Sequence, residues 1–195
     1  EFDVDWFNGA SGYDAVLIVG DLPRLAHRKA YAVARNLARL TVPAWLVPGN
    51  HDATSVAAMF SEITGHPARS AEVGHSQIQK VARLREALGP ITLGGYSHHT
   101  LPPAEPPSDD APVGLIIARP HAMGSTLSFP AYLREQFGIK TLEESAERLC
   151  AVVDDCPHER LIFLAHNGPT GLGAQQHDIW GCDFRKDGGD FGDPD

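Results

Sequence analysis

Three short stretches of this chain carry side chains suited to metal or acid–base chemistry, and each follows an apolar run. Asp14-Ala15-Val16-Leu17-Ile18-Val19 leads into Gly20-Asp21, and residues 42–47 lead into Pro48-Gly49-Asn50-His51-Asp52. Leu161-Ile162-Phe163-Leu164-Ala165 leads into His166-Asn167-Gly168. Short apolar runs bounded by turn residues read as buried strands, and open α/β sheets gather their chemistry at the C-terminal strand edge. The three strand ends therefore deliver Asp21, Asn50 and His166: a carboxylate, an amide oxygen and an imidazole, all able to ligate a divalent cation. Each also has a plainer reading. Asp21 can cap a helix before Leu22-Pro23, Asn50 can serve a turn, and His166 can be a hydrogen-bonded strand-end histidine.

The elements that must position these residues follow from periodicity. A helix is expected over 25–40, where Ala30, Val33, Ala34, Leu37 and Ala38 fall on one face. Strand, helix and strand in that order make a βαβ unit with parallel pairing. Residues 53–63 read as helical and 65–74, which contain Pro67, as a loop. Ile78, Val81, Leu84 and Leu88 line a further helix that stops at Gly89-Pro90. Residues 91–96 read as a weak strand, and 113–118 as a buried strand. Between them lies a Pro-rich acidic loop, 101–112, solvated and extended but internal to one domain of 1–195. Residues 119–125 form a turn region. Thr141-Leu142-Glu143-Glu144 is a capping box for a helix with Leu142, Ala146, Leu149 and Val153 on its apolar face. Beyond Gly173 the chain is Gly/Asp-rich without periodicity, and its tail (Asp183, Asp187, Asp190, Asp193, Asp195) reads as a solvated loop. The N-terminal residues before Tyr13 are short and mixed.

The chain has 195 residues, enough for one domain with a sizeable core. Hydrophobic residues make up 43% and charged residues 21%, the balance of a globular protein. With 16 Lys and Arg against 25 Asp and Glu, the formal charge is −9. That excludes general binding to a nucleic-acid backbone, which needs a basic face, yet bound metal ions can still draw a phosphoester to an acidic protein. No apolar run approaches the roughly 18 residues of a membrane span. Cys150, Cys156 and Cys182 are an odd set without zinc-type spacing, so a reducing, cytoplasmic compartment is the default expectation.

In the order Gly-Asp, Gly-Asn-His-Asp and then His, residues 13–173 resemble the calcineurin-like metallophosphoesterase family. The resemblance implies an α/β fold, a four-layer α/β/β/α sandwich, and hydrolysis of a phosphomonoester or phosphodiester with two divalent metal ions (Mn, Fe or Zn). It makes Asp21 the bridging carboxylate, with Asn50 and His166 on one metal. His51 is then no ligand but protonates the leaving oxygen, and Asp52 holds the His51 ring in orientation. Arg119 either contacts substrate phosphate bidentately or is a salt-bridged surface residue. His98, His99, His121 and His177 are expected at the surface or behind the ligands. The implied substrate is a small phosphoester or a phosphoprotein, with selectivity in loops such as 65–74 and 101–110.

Two parts of the family pattern are absent: an Asp-x-His on the first strand and a Gly-His-x-His near the C-terminal end. The expectation is therefore a partial domain that lacks its first and last strands, inactive by itself, with an unpaired sheet edge prone to aggregation. The rival from another class is a non-catalytic protein-binding module on the same fold. The His51-Asp52 pair argues against it, since a scaffold has no need of a leaving-group acid. An unrelated flavodoxin-like binding domain is a third reading.

Overall fold

The computed structural model describes residues 3–9, 12–23, 27–52, 67–103, 111–122, 129, 131–179, 181, 189, 190 and 192. Among them, two small sheets and the helices that cover them make a mixed α/β fold. The first sheet has the order β1 (Val16–Ile18), β2 (Ala44–Leu46), β3 (Thr92–Leu93), parallel throughout, with Ile18 beside Leu46 and Leu46 beside Leu93. The second has the order β4 (Ser97–Thr100), β5 (Val113–Ile117), β6 (Arg160–Leu164). In it, β4 runs antiparallel and β6 parallel to β5.

Alternation along the strands decides what each face buries. Ala44 and Leu46 of β2 pack with Ala30, Ala34 and Leu37 of helix α2 (His27–Leu37) and with Leu84 and Leu88 of helix α3 (Pro67–Leu88). Trp45 and Val47 point the other way and meet Leu115, Ile117 and Leu164 of the second sheet. Ile116 faces outward again, joining Tyr132 and Leu133 of helix α4 (Ala131–Phe137) and Val152 of helix α5 (Leu142–Asp154). A short helix α1 (Val4–Gly9) buries Val4 beside the first helical layer.

The α2 face expected from periodicity is the buried one, with Ala30 and Ala34 fully enclosed. Thr141 caps α5 by accepting the Glu144 N–H at 3.2 Å, while the Glu144 carboxylate accepts from Lys140 N at 2.6 Å, one residue further out than a capping box requires. The buried residues of α5 are Ser145 and Val152, so its inward face is rotated from the expected one.

Four expectations change. The loop placed at 65–74 is helical from Pro67 onward, because proline at a first helical position loses no hydrogen bond. The strand over 91–96 shortens to Thr92–Leu93. Gly94 and Gly95 then carry the chain tightly past Ile117 and Pro120, Tyr96 takes a φ of 46°, and β4 begins in the other sheet. Among the described residues the run ending at Leu164 is an edge strand, not a buried one, and Ile162 and Phe163 are exposed. Helix α4 had no counterpart in the periodicity. The helix expected at 53–63 and most of the Pro-rich loop and acidic tail lie outside the described residues. No described helix is long and apolar enough to cross a membrane.

Candidate active site

Parallel register brings the strand ends together. Val47 N–H donates to Ile18 O at 3.1 Å and Ala118 N–H to Leu164 O at 2.9 Å, which keeps both sheets aligned to their last residues. The chain then turns sharply after β1: Gly20 has a φ of 85° and Asp21 a φ of 53°. At Gly20 a Cβ would stand 2.3 Å from Gly49 N and 2.6 Å from Val47 O. At Gly49 it would stand 2.3 Å from Asp21 Oδ1 and 2.5 Å from His166 Cε1. Real Cβ atoms do not approach so closely: Gly20 meets backbone and requires glycine, whereas a methyl group at Gly49 would displace the Asp21 and His166 side chains.

Across this contact Asp21, Asn50 and His166 converge. His166 Nδ1 lies 2.6 Å from Val19 O, which ties the end of β6 to the end of β1. A carbonyl only accepts, so Nδ1 carries a proton, and Nε2 is the ring nitrogen that faces the other two side chains and presents a lone pair whenever it carries no proton. Nε2 lies 3.1 Å from Asn50 Oδ1 and 3.6 Å from Asp21 Oδ2. Three acceptors thus face one another, an arrangement satisfied either by protonating His166 or by a cation among them. A backbone carbonyl that fixes the far nitrogen is also the usual support for a metal-ligating histidine. The donor set therefore fits a divalent ion. No group of three or more His, Cys, Asp and Glu side chains gathers for a metal among the described residues, because the third donor here is an amide.

The Asp52 carboxylate is fully buried, and its role differs from the expected one. Oδ2 accepts from Asp21 N and Gly49 N, both at 2.7 Å, and Oδ1 accepts from Leu22 N at 2.8 Å. Asp52 thus staples the two strand-end loops together and does not hold the His51 ring. Burial pushes its carboxyl above the ordinary range; the three N–H bonds oppose that shift, and the neighbouring Asp21 charge adds to it. His51 N–H donates to Asp21 Oδ1 at 3.0 Å, while its ring Nδ1 is buried with no hydrogen-bond partner among the described residues.

Arg119 stands two residues past Ile117, as His166 stands two past Leu164, and those two residues pair. It is not a surface residue: it is 5% exposed, with its guanidinium 5.2 Å over the Phe129 ring. It shares a cleft of about 410 Å³ with His166, Asn167, Leu149 and Phe163. His98, exposed, and His99, near Trp45 and 3.2 Å from Ser97 Oγ, lie on β4. His177 is exposed with a φ of 76°.

His121 is a different case. It is buried at 3% exposure, and its Nδ1 lies 3.1 Å from Gly49 O. Composition and spacing cannot single it out, since its partner is 72 residues away.

No curated protein and no solved structure matches the chain significantly. A family model does: that of the calcineurin-like phosphoesterases matches residues 3–184, nearly the whole chain, which spans all three strand ends. Members of that family are in general metal-dependent hydrolases of phosphoesters, and this chain belongs to the calcineurin-like phosphoesterase family.

Proposed function

We propose that this chain is a divalent-metal phosphoesterase whose metal is held by Asp21, Asn50 and His166, with His51 as the leaving-group acid. The observation that carries the reading is the convergence of Asp21 Oδ2 and Asn50 Oδ1 on His166 Nε2, at 3.6 and 3.1 Å. A pair of Mn, Fe or Zn ions, once bound, supplies the charge that neutralises phosphoryl oxygens and the acidity that makes water a nucleophile at neutral pH. Asp21, with two oxygens, is the residue able to serve both ions.

The chain's own groups do the remaining work. His51 follows the ligand Asn50 directly, and its Nδ1 has no hydrogen-bond partner among the described residues, which leaves that nitrogen uncommitted within the chain. It protonates the departing alkoxide. Asp52 positions rather than reacts, by fixing the loops that carry Asp21 and Asn50. Arg119 lines the cleft that reaches His166, which supports a role in holding the anionic ester. A phosphomonoester or diester, free or on a protein, fits this machinery.

Substitution separates ligands from the acid. In a form of the protein extended by the two motifs absent here, Asp21→Ala and His166→Ala should lose bound Mn(II) together with chelator-sensitive hydrolysis of a nitrophenyl phosphate. His51→Ala should retain Mn(II) and lose about 10²–10⁴ in rate, less for esters with acidic leaving groups. A His51→Ala protein that comes out metal-free would overturn the assignment. A form of the protein extended by the two motifs absent here, if inert with Mn, Fe and Zn alike, belongs instead with the binding-module rival.

A further inference from the structure

We infer that His121 is a positioning residue for the metal site, the donor that holds the Pro48-Gly49 peptide so that Asn50 and His51 point correctly. The inference rests on the metal-site reading above. Three observations carry it. His121 N–H donates to Pro48 O at 2.6 Å, and His121 Nδ1 meets Gly49 O at 3.1 Å. One residue therefore grips the two consecutive carbonyls that precede Asn50. Its backbone φ of 57° lies in the left-handed region, which a non-glycine residue occupies only when its surroundings enforce it. The ring is also enclosed, edge-on to Tyr132 at 4.9 Å, with Nε2 buried and without a hydrogen-bond partner among the described residues. A buried ring with one unmatched nitrogen is a costly way to fill space, so the side chain is held for the bond it donates.

The grip matters because of what lies on the opposite side of the same peptide. Gly49 N–H is held by Asp52, and the Gly49 α-carbon lies against Asp21 and His166 without room for a methyl group. Asp52 accepts from this peptide and His121 donates to it. Between them they set how far Asn50 Oδ1 stands from His166 Nε2. Loss of either clamp lets the loop move relative to β1 and β6, whose ends carry the other two ligands.

Three variants test this in the purified chain. All three keep the backbone N–H to Pro48 O: His121→Phe keeps a ring against Tyr132 and loses the ring donor to Gly49 O, and His121→Gly frees the backbone and loses the same donor. His121→Asn places an amide N–H near the position of Nδ1 and tolerates the left-handed backbone. Mn(II) affinity should fall about 10–100-fold in the Phe and Gly variants, as for other outer-shell partners of metal ligands. Asn should restore most of it, and Co(II) absorption should change in the first two only. Should the Phe variant fail to fold, the Gly variant decides. Wild-type affinity in a folded Phe or Gly variant overturns the inference. Should the wild-type chain itself bind no Mn(II), the metal reading fails, and the amide resonances of Gly49, Asn50 and His51 decide the positioning role separately. Resonances that move in the Phe and Gly variants but not in the Asn variant support it; resonances unmoved in all three overturn it.

Discussion

A carboxylate that accepts three backbone N–H groups is a structural part as much as a chemical one, and Asp52 is such a part. Asp52→Asn leaves the shape but replaces one acceptor oxygen with an amide that faces a backbone N–H. A buried donor is then left unmatched, at a cost of about 1–3 kcal/mol. Denaturant titration should show that loss, along with weaker metal binding. Were Asp52 chiefly the orienter of His51, stability would barely change and only the rate would fall. His121 makes the companion case for acid sensitivity. Burial lowers its pKa to about 4, the bond to Gly49 O opposes that shift, and the His166 charge adds to it. The native state keeps the ring neutral, whereas the unfolded chain protonates it near the ordinary value of 6.5. Its contribution is therefore fully present above pH 6.5 and lost as pH falls toward 4, up to about 3 kcal/mol. His121→Asn should flatten that part of the stability–pH curve, and the difference between the two curves isolates this ring from other titrating groups. An unchanged slope would show that another group carries the acid sensitivity.

At the level of elements, the site depends on two strand-end turns meeting without side chains between them. Gly20→Ala would set a methyl against backbone atoms of Gly49 and Val47, in a conformation already at φ 85°. Overpacking of this kind costs about 1–3 kcal/mol, with the strained backbone in addition. Gly49→Ala meets Asp21 and His166 themselves, so its effect should fall on metal affinity more than on stability. Comparing melting with Mn(II) titration for both variants checks this. Equal metal affinity for Gly49→Ala and wild type would mean that the strand ends are less tightly coupled than their contacts indicate. The strands can be as short as three residues because the helices α2 and α3 fix the first sheet from outside, through Ala34, Leu37, Leu84 and Leu88.

For the whole molecule, the two sheets pack through Trp45, Val47, Leu115, Ile117 and Leu164, and their C-terminal ends carry the site. That shared interior opens on one side into a cavity of about 670 Å³ between the β1 and β6 edges, lined by Leu17, Leu101, Val113 and Ile162. Phe163, 55% exposed on β6, adds an apolar side chain at an edge. Exposed apolar edges promote association between chains. Phe163→Lys should lower self-association in concentrated solution, measured by sedimentation, and leave Mn(II) affinity unchanged. Equal association of the variant and wild type would exonerate this edge.

The sequence by itself determined which strand ends meet and which polar side chains they carry. Strand-end chemistry is local, because an apolar run that stops at a turn with a polar side chain encodes both the strand and its exit. The strand-end positions of Asp21, Asn50 and His166 were therefore legible, as were the α2 face and the Thr141 cap of α5. Tertiary structure alone decided the partners. Asp52 reaches back 31 residues to Asp21, His121 reaches 72 to Gly49, and His166 reaches 147 to Val19. No local pattern specifies such bonds, since they exist only once two sheets have packed and their ends have aligned. The same reasoning explains β6. Its apolar sequence matches a central strand, and only the pairing of the sheet decides that, among the described residues, one side of it has no neighbour.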